Sequence, residues 1–345
     1  MQALRLIEDG RLQLEDNLPE PPAPAPGEVV VRMKAVALNH IDLWGFRGMA
    51  FAKRKLPIIV GVEGAGEIAA VGAGVTNRRP GDAVAIYAGL FCGHCGPCRR
   101  GIENLCENIA DGGIMGFHRD GVAAQYVPVP VRQTVPVPAG VGWAQAATAP
   151  VTFGTVQHML FDNAKLLPGE TILVHAGASG IGTTAILMAK AIGARVLTTV
   201  GSDEKMEAVK ALGADHVLNY RKDRFETWAR RLTGKKGVEV VFEHVGPDTW
   251  AGSLLSLKRG GRLVTCGSTS GISAETNLFH LFQQQIRIIA SFGATVGNLA
   301  ESMHKMAIGE ALPVIDSEIP LAEFDKGLKR MADRAVIGKI IVHIP

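Results

Sequence analysis

Hydrophobic positions fall into two textures along this chain. Over the first 150 residues they come in short runs: Val29-Val30-Val31, Ala83-Val84-Ala85-Ile86 and residues 123–129. Turn sequences such as Pro24-Ala25-Pro26-Gly27-Glu28 and Arg79-Pro80-Gly81-Asp82 separate them. Short runs bounded by Pro, Gly and Asp predict strands and irregular loops, hence a small β-rich domain. From about Pro168 the runs alternate with longer segments. The pattern predicts strands at 171–175 and 194–200 and helices at 180–192 and 203–212. It continues through a strand at 238–242, a helix at 250–257, and strands at 262–266 and 286–290. Such alternation predicts a parallel, doubly wound sheet. One or two helices follow from about Thr295, and a last apolar run at 339–344 predicts a strand that returns to the first domain.

Length changes this picture little: 345 residues exceed one ordinary core, so two domains are expected. The net charge of +3 comes without a clustered basic run, which argues against a dedicated nucleic-acid partner. The first residues carry acidic side chains and no apolar core, so no signal peptide is expected. No uncharged apolar run is long enough to span a membrane.

The cysteines change it more. Four of the five, Cys92, Cys95, Cys98 and Cys106, lie within fifteen residues at spacings C-x2-C-x2-C-x7-C. A sulfur-only tetrahedral set predicts structural zinc, one ion per subunit. Thiols bunched at metal spacing without a signal peptide imply a reducing, cytoplasmic setting. Cys266, behind an apolar strand, is expected to be an inert core thiol.

The predicted strand 171–175 runs into Ala176-Gly177-Ala178-Ser179-Gly180-Ile181-Gly182 and then a helix. This is a dinucleotide pyrophosphate cradle: glycines admit the phosphates close to the backbone, and the helix N-terminus offers unpaired N–H groups. The next strand ends at Val200-Gly201-Ser202, with Val200 where an NAD site usually carries a carboxylate for the ribose. Ser202, Lys205, Tyr220 and Arg221 are candidate partners of a 2′-phosphate, so NADP(H) is the expected cofactor; the alternative is that Lys205 is an ordinary solvated helix residue.

Further segments are Gly61-Val62-Glu63-Gly64-Ala65-Gly66, Val71-Gly72, Pro80-Gly81-Asp82, residues 121–127, Ala211-Leu212-Gly213-Ala214-Asp215 and Gly260-Gly261-Arg262. With the cysteine lobe and the glycine loop, in this order, they resemble the medium-chain dehydrogenase/reductase superfamily over essentially the whole chain. The resemblance implies an α/β protein with two domains. A GroES-like β-rich catalytic domain would take residues 1–150 and 295–345, with a structural-zinc lobe at about 90–108. A Rossmann domain would take residues 151–294. It further implies an active-site cleft between them and a homo-oligomer, dimer or tetramer. Thr155 and Lys339 would lie near the cofactor. Val245 with Gly246, Gly267 with Ser268, and Phe292 with Gly293 would flank its path.

Alcohol dehydrogenases of that superfamily hold a catalytic zinc at positions that match Asn39, Val62 and about Val151 here. Valine has no lone pair and an amide is a poor zinc donor, so the active site is expected to lack the metal. The stretch Leu38-Asn39-His40-Ile41-Asp42-Leu43-Trp44, together with Asp248-Thr249-Trp250 and Gly267-Ser268-Thr269, resembles the quinone oxidoreductase branch. The best-known members of that branch lack the cysteine lobe. An alternative reading makes His40, Asp42 and Glu63 a replacement metal set.

The expected activity is NADPH-dependent hydride transfer to a quinone or an α,β-unsaturated carbonyl, an enone or enoyl thioester, without catalytic zinc. Asn39, His40 and Asp42 are the candidate catalytic residues: Asn39 to polarise the carbonyl or to be purely structural, His40 to deliver a proton. Trp44, Phe51 and Phe153 are candidates for an apolar substrate pocket. Two rivals stand beside this reading: a zinc-type alcohol dehydrogenase, and an NADPH-binding sensor or RNA-binding relative with little catalysis.

Overall fold

The structure is a computed structural model that describes residues 1–48, 54–108 and 113–345. Phe51, a pocket candidate, lies outside the described residues. The chain forms two compact units: Met1–Gly154 with Ala294–Gly309 and Ile315–Pro345, and Thr155–Gly293 with Glu310–Val314.

The first unit opens with β1 (Ala3–Glu8), β2 (Arg11–Glu15), β3 (Glu28–Ala37) and a helix, His40–Phe46. Then come β4 (Ile58–Ile59), β5 (Gly64–Val71), β6 (Ala83–Ile86), β7 (Tyr126–Pro130) and β8 (Thr134–Pro136). The second unit carries β9 (Thr171–Val174), β10 (Arg195–Val200), β11 (His216–Asn219), β12 (Val238–Glu243), β13 (Leu257–Thr265) and β14 (Arg287–Ala290). The chain then returns to the first unit with β15 (Ile315–Pro320) and β16 (Lys339–His343).

In the first unit, β2-β1-β4 form a small sheet and β15-β16-β3-β5-β6-β8 a larger one, with β7 also paired to β3. The terminal strand β16 runs antiparallel to β3, which sets Ile341 opposite Ala37. The core between the sheets is aliphatic, from Val29, Val31, Met33, Ile68, Ile86 and Val342. Gly66 permits the β3–β5 contact, since a Cβ there would meet the Arg32 carbonyl oxygen at 2.3 Å.

The second unit is a parallel sheet in the order β11-β10-β9-β12-β13-β14, the doubly wound order in which the chain switches direction beside its first strand. Its strands are apolar over nearly their whole length, as burial on both faces requires: Ile172, Leu173, Val240, Val241 and Phe242 are fully buried. One element differs from the sequence pattern. The helix Pro247–Ser256 ends early and Leu257 already begins β13. A register shift between Val238 and Val240 absorbs Lys258, Arg259 and Gly260, so a run that reads as a turn is a bulged strand. Among the described residues no helix is long and apolar enough to cross a membrane.

Candidate functional site

Three groups of residues carry chemistry, and two of them lie in the first unit.

The first is a buried polar cluster built where four distant segments meet. Glu63, just before β5, is fully buried, and Lys339, the first residue of β16, is 4% exposed. They form an ion pair at 3.0 Å. Lys339 Nζ also donates to the Leu38 carbonyl at 2.6 Å, Asn39 Oδ1 at 2.8 Å and Thr152 Oγ1 at 2.9 Å. Glu63 Oε1 accepts from the backbone N–H groups of Val151 at 2.8 Å and Thr152 at 2.7 Å. Its Oε2 accepts from Asn39 Nδ2 at 2.6 Å and Thr152 Oγ1 at 3.1 Å.

An ammonium only donates, so the Asn39 atom facing Lys339 must be the oxygen. That fixes the amide: both Nδ2 protons go to protein oxygens, those of Glu63 and of Ala37. Asn39 is thus engaged at both ends of its amide, as its purely structural reading requires. Lys339 makes its hydrogen bonds within this cluster.

Asp42 extends the cluster. Its Oδ2 accepts from the Asn39 backbone N–H at 2.8 Å and closes the first turn of the helix His40–Phe46. Burial raises its carboxyl to about 7, against the lowering pull of the Asn39 N–H and of Lys339. His40 stands exposed on the same turn, edge-on to Trp44 at 5.4 Å. Val62 is buried in the core. Phe153 is fully buried as well, so it is core and not pocket lining.

The second group is the cysteine lobe. All four sulfur atoms lie within 4.8 Å of one another. The Cys92–Cys98 and Cys95–Cys106 sulfurs are each 3.9 Å apart. Four sulfurs at about 2.3 Å from a shared centre would stand about 3.8 Å apart, so the lobe fits a tetrahedral zinc. The backbone N–H groups of His94 and Cys95 point at Cys92 Sγ and bring its thiol down to about 5, into the thiolate form a metal requires. Among the described residues this quartet is the group of three or more His, Cys, Asp or Glu side chains gathered closely enough to share an ion. The set His40, Asp42 and Glu63 is not gathered in that way.

The third group lines one edge of the parallel sheet. Because the strands run the same way, the residues that follow them share that edge. These are the loop 176–182, Gly201 and Ser202 after β10, Tyr220 after β11, Val245 after β12, Gly267 and Ser268 after β13, and Phe292 and Gly293 after β14. Ser179 caps the helix Gly180–Ala191, its Oγ accepting from the Gly182 N–H at 3.0 Å. A Cβ on Gly177 would meet Thr198 Oγ1 at 2.2 Å and one on Gly182 the Ala176 carbonyl at 2.3 Å. The loop is thus packed to the limit before Gly180 and Ile181 open the helix. Lys205 is half-buried on the helix Asp203–Ala211, and the Tyr220 hydroxyl lies over Gly201. Thr155 is buried at the start of the unit.

Beneath that edge lies a network that the sequence reading missed. Glu243, the last residue of β12, is fully buried. Its Oε1 accepts from the N–H groups of Val245 at 2.7 Å and Gly246 at 3.2 Å. Its Oε2 accepts from Thr249 Oγ1 at 2.8 Å and Ser253 Oγ at 2.7 Å. Ser253 Oγ in turn faces His175 Nε2 at 2.8 Å. Burial lowers His175 to about 4, so its ring is neutral. Burial would raise the Glu243 carboxyl, but its partners outweigh that and hold it below the ordinary range. Burial also pushes the Cys266 thiol up to about 12.

Comparison with known proteins follows the two units. Residues 25–139 match the family model described as alcohol dehydrogenase GroES-like domain, and residues 180–308 the one described as zinc-binding dehydrogenase. The chain is 33% identical over 324 residues to the acryloyl-coenzyme A reductase of Metallosphaera sedula, covering 93% of each chain. It is 32% identical over 343 residues to an alcohol dehydrogenase of Geobacillus stearothermophilus, covering 98% of each. Its fold matches a crystal structure of an NAD-dependent alcohol dehydrogenase with a TM-score of 0.93, at 37% identity and over 100% of both chains.

Two outcomes are expected. Replacing Cys95 by Ser removes zinc from the purified protein and lowers Tm by at least about 5 °C, read by metal analysis and calorimetry; retention of both metal and Tm would contradict a structural site. Asp42→Asn changes the pH dependence of stability. An unfolded Asp ionises near 4 and Asp42 near 7. Wild-type stability therefore declines as pH rises across that window, because the unfolded chain releases its proton first. The Asn variant, which keeps an acceptor for the Asn39 N–H, shows a flatter profile in urea titrations from pH 4 to 8.

Proposed function

The chain belongs to the medium-chain dehydrogenase/reductase superfamily, as an oxidoreductase of the zinc-binding dehydrogenase family, and we propose that it reduces conjugated acceptors with NADPH and without a catalytic metal. The acceptor class is an enone, an enoyl thioester or a quinone. One observation carries this reading: the positions expected to ligate a catalytic zinc hold Asn39, whose amide is engaged by Glu63 and Lys339, the buried apolar Val62, and Val151. An ammonium already neutralises Glu63, and a cation there would face it at close range. The acryloyl-coenzyme A reductase relative supports an enoyl thioester as acceptor.

A bound reduced nicotinamide supplies a hydride to the β-carbon, and a proton then completes the α-carbon. That leaves a saturated carbonyl compound and the oxidised nucleotide. His40, exposed on the first helical turn, delivers the proton from its ring. Asn39 and Asp42 hold that turn in place. The loop Gly177 to Gly182 takes the pyrophosphate on the helix N-terminus, with Ser179 fixing the turn. Gly201, Ser202, Lys205 and Tyr220 face the adenosine ribose, and Lys205 and Ser202 favour a 2′-phosphate. The carboxylate nearest that strand end, Asp203, is already bonded to Asn219 and Lys222. Val245, Gly267, Ser268, Phe292 and Gly293 line the rest of the path. One zinc in the cysteine lobe and a reducing, cytoplasmic setting complete the picture.

Among the described residues β14 is an edge strand of the sheet, and Ile288 on it, with Phe279 and Phe282 on the preceding helix Leu278–Gln283, is exposed, which supports a homodimer joined along that edge. The relatives named alcohol dehydrogenase support a second reading, oxidation of a small alcohol with a further zinc.

Metal analysis and a substrate panel separate the two. One zinc per chain, with NADPH consumed by enoyl thioesters, enones or quinones but not by saturated aldehydes, is the expected result. Two zinc ions with alcohol oxidation would overturn it, and dinucleotide binding without turnover on any acceptor would leave a binding protein. For the cofactor, Lys205→Ala should weaken NADPH at least tenfold and NADH less than twofold in fluorescence titrations. Equal losses would remove the 2′-phosphate assignment.

A further inference from the structure

The chain crosses between its units at Gly154–Thr155 and again at Gly293–Ala294. The first-unit ends of these two crossings touch: a Cβ on Gly154 would stand 3.0 Å from the Ala294 Cβ, and Ala294 is 2% exposed. The second crossing is held from one side, the cysteine lobe and its root. Tyr87, directly after β6, donates its hydroxyl to the Ala294 carbonyl at 2.5 Å in a buried contact. Glu103, inside the lobe, accepts the Val296 N–H at 3.2 Å, at the first turn of the helix Val296–Ala307. Thr295, between them, caps the same helix through Asn298. Three successive backbone positions are thus fixed: Ala294 by Tyr87 at the root of the lobe, Thr295 by its own helix cap, and Val296 by Glu103 in the lobe.

The lobe's metal set reaches this anchor through one turn. The Cys106 N–H bonds the Glu103 carbonyl at 3.0 Å, so ligand Cys106 closes the 3-10 turn Glu103–Leu105 that aims the Glu103 carboxylate. Tyr87 packs edge-on to Phe91, the residue before ligand Cys92, at 5.7 Å. Burial first, then Glu103 and the sulfurs of Cys98 and Cys106, hold the Tyr87 proton on above its ordinary range, so the hydroxyl stays a donor.

We propose that Glu103 and Tyr87 are positioning residues: through them the cysteine lobe fixes the crossing at Ala294–Val296 and thereby sets Phe292 and Gly293 against the nicotinamide nucleotide. The coenzyme half rests on the function proposed above; the anchor itself rests on the first unit alone. On this view the zinc of the lobe has a task beyond local stability, since it keeps the turn that carries Glu103.

The test uses the full-length, zinc-loaded protein and the variants Glu103→Ala, Glu103→Gln and Tyr87→Phe. Zinc content, hydrogen exchange at the Val296 amide and NADPH affinity by fluorescence are read for each. Glu103→Ala and Tyr87→Phe should keep one zinc per chain, speed Val296 exchange at least tenfold and weaken NADPH about threefold to tenfold. Glu103→Gln keeps an acceptor and should stay within twofold of wild type on both readouts. Unchanged Val296 exchange in both disruptive variants overturns the anchor. Faster exchange with unchanged NADPH affinity overturns the coenzyme half. Wild-type protein that binds no dinucleotide overturns the proposed function and the coenzyme half together, and the exchange result alone then decides the anchor.

Discussion

The Glu63–Lys339 pair is the constraint around which the first unit is organised. Removing two charges from water costs several kcal/mol per ion, and their attraction offsets this only when the remaining hydrogen-bonding capacity is satisfied. Here Glu63 accepts from Asn39, Val151, Thr152 and Lys339 on its two oxygens. Lys339 faces four oxygens with three protons. These bonds join the segments before the helix His40–Phe46, before β5, around Val151 and at the start of β16. Loss of either ion would leave the other buried and uncompensated, which is far worse than never having placed the pair there.

Much of this was legible in the sequence where the signal is local. The loop Gly177 to Gly182 could be picked out by its glycines, at which a Cβ would strike Thr198 or Ala176, and the cysteine spacing suits a tetrahedral cage. The parallel sheet followed from alternation alone. Illegible were the partnerships across sequence distance. In the sequence Asn39 stays open between carbonyl polariser and structural amide, because nothing near it in the chain reveals that Glu63 and Lys339 engage both ends of its amide. The burial of Lys339 is likewise hidden, because a lone lysine before an apolar strand gives no hint of it. A signal was present: Glu63 stands in an otherwise apolar and glycine-rich stretch, and a carboxylate there must either ligate a metal or meet a cation. With the metal positions vacated, a search for a buried lysine or arginine would have reached Lys339. Phe153 shows the opposite failure. An aromatic at a domain junction looks like pocket lining, yet aromatic side chains bury large areas and most often complete a core.

The two buried carboxylates have different tasks, although both sit at the end of or just before a strand. Glu63 faces a full charge. Glu243 faces none: His175 Nε2 lies 3.7 Å from its Oε2 and shares Ser253 with it, but burial keeps that ring neutral. Its negative charge is met by backbone N–H groups and hydroxyls at the start of the helix Pro247–Ser256, where a helix dipole also favours an anion. Dipoles in place of an ion meet this charge without a paired cation.

That choice has a consequence for kinetics. Glu243 grips the two peptide groups that turn the chain at the point where the sheet reverses its winding, so the turn is rigid in the absence of any guest. A ligand arriving there meets a surface whose conformational entropy was lost during folding, not at encounter. Such a surface favours association governed by diffusion and orientation, with little waiting for a rare receptive conformer, and leaves discrimination among guests to their rates of departure.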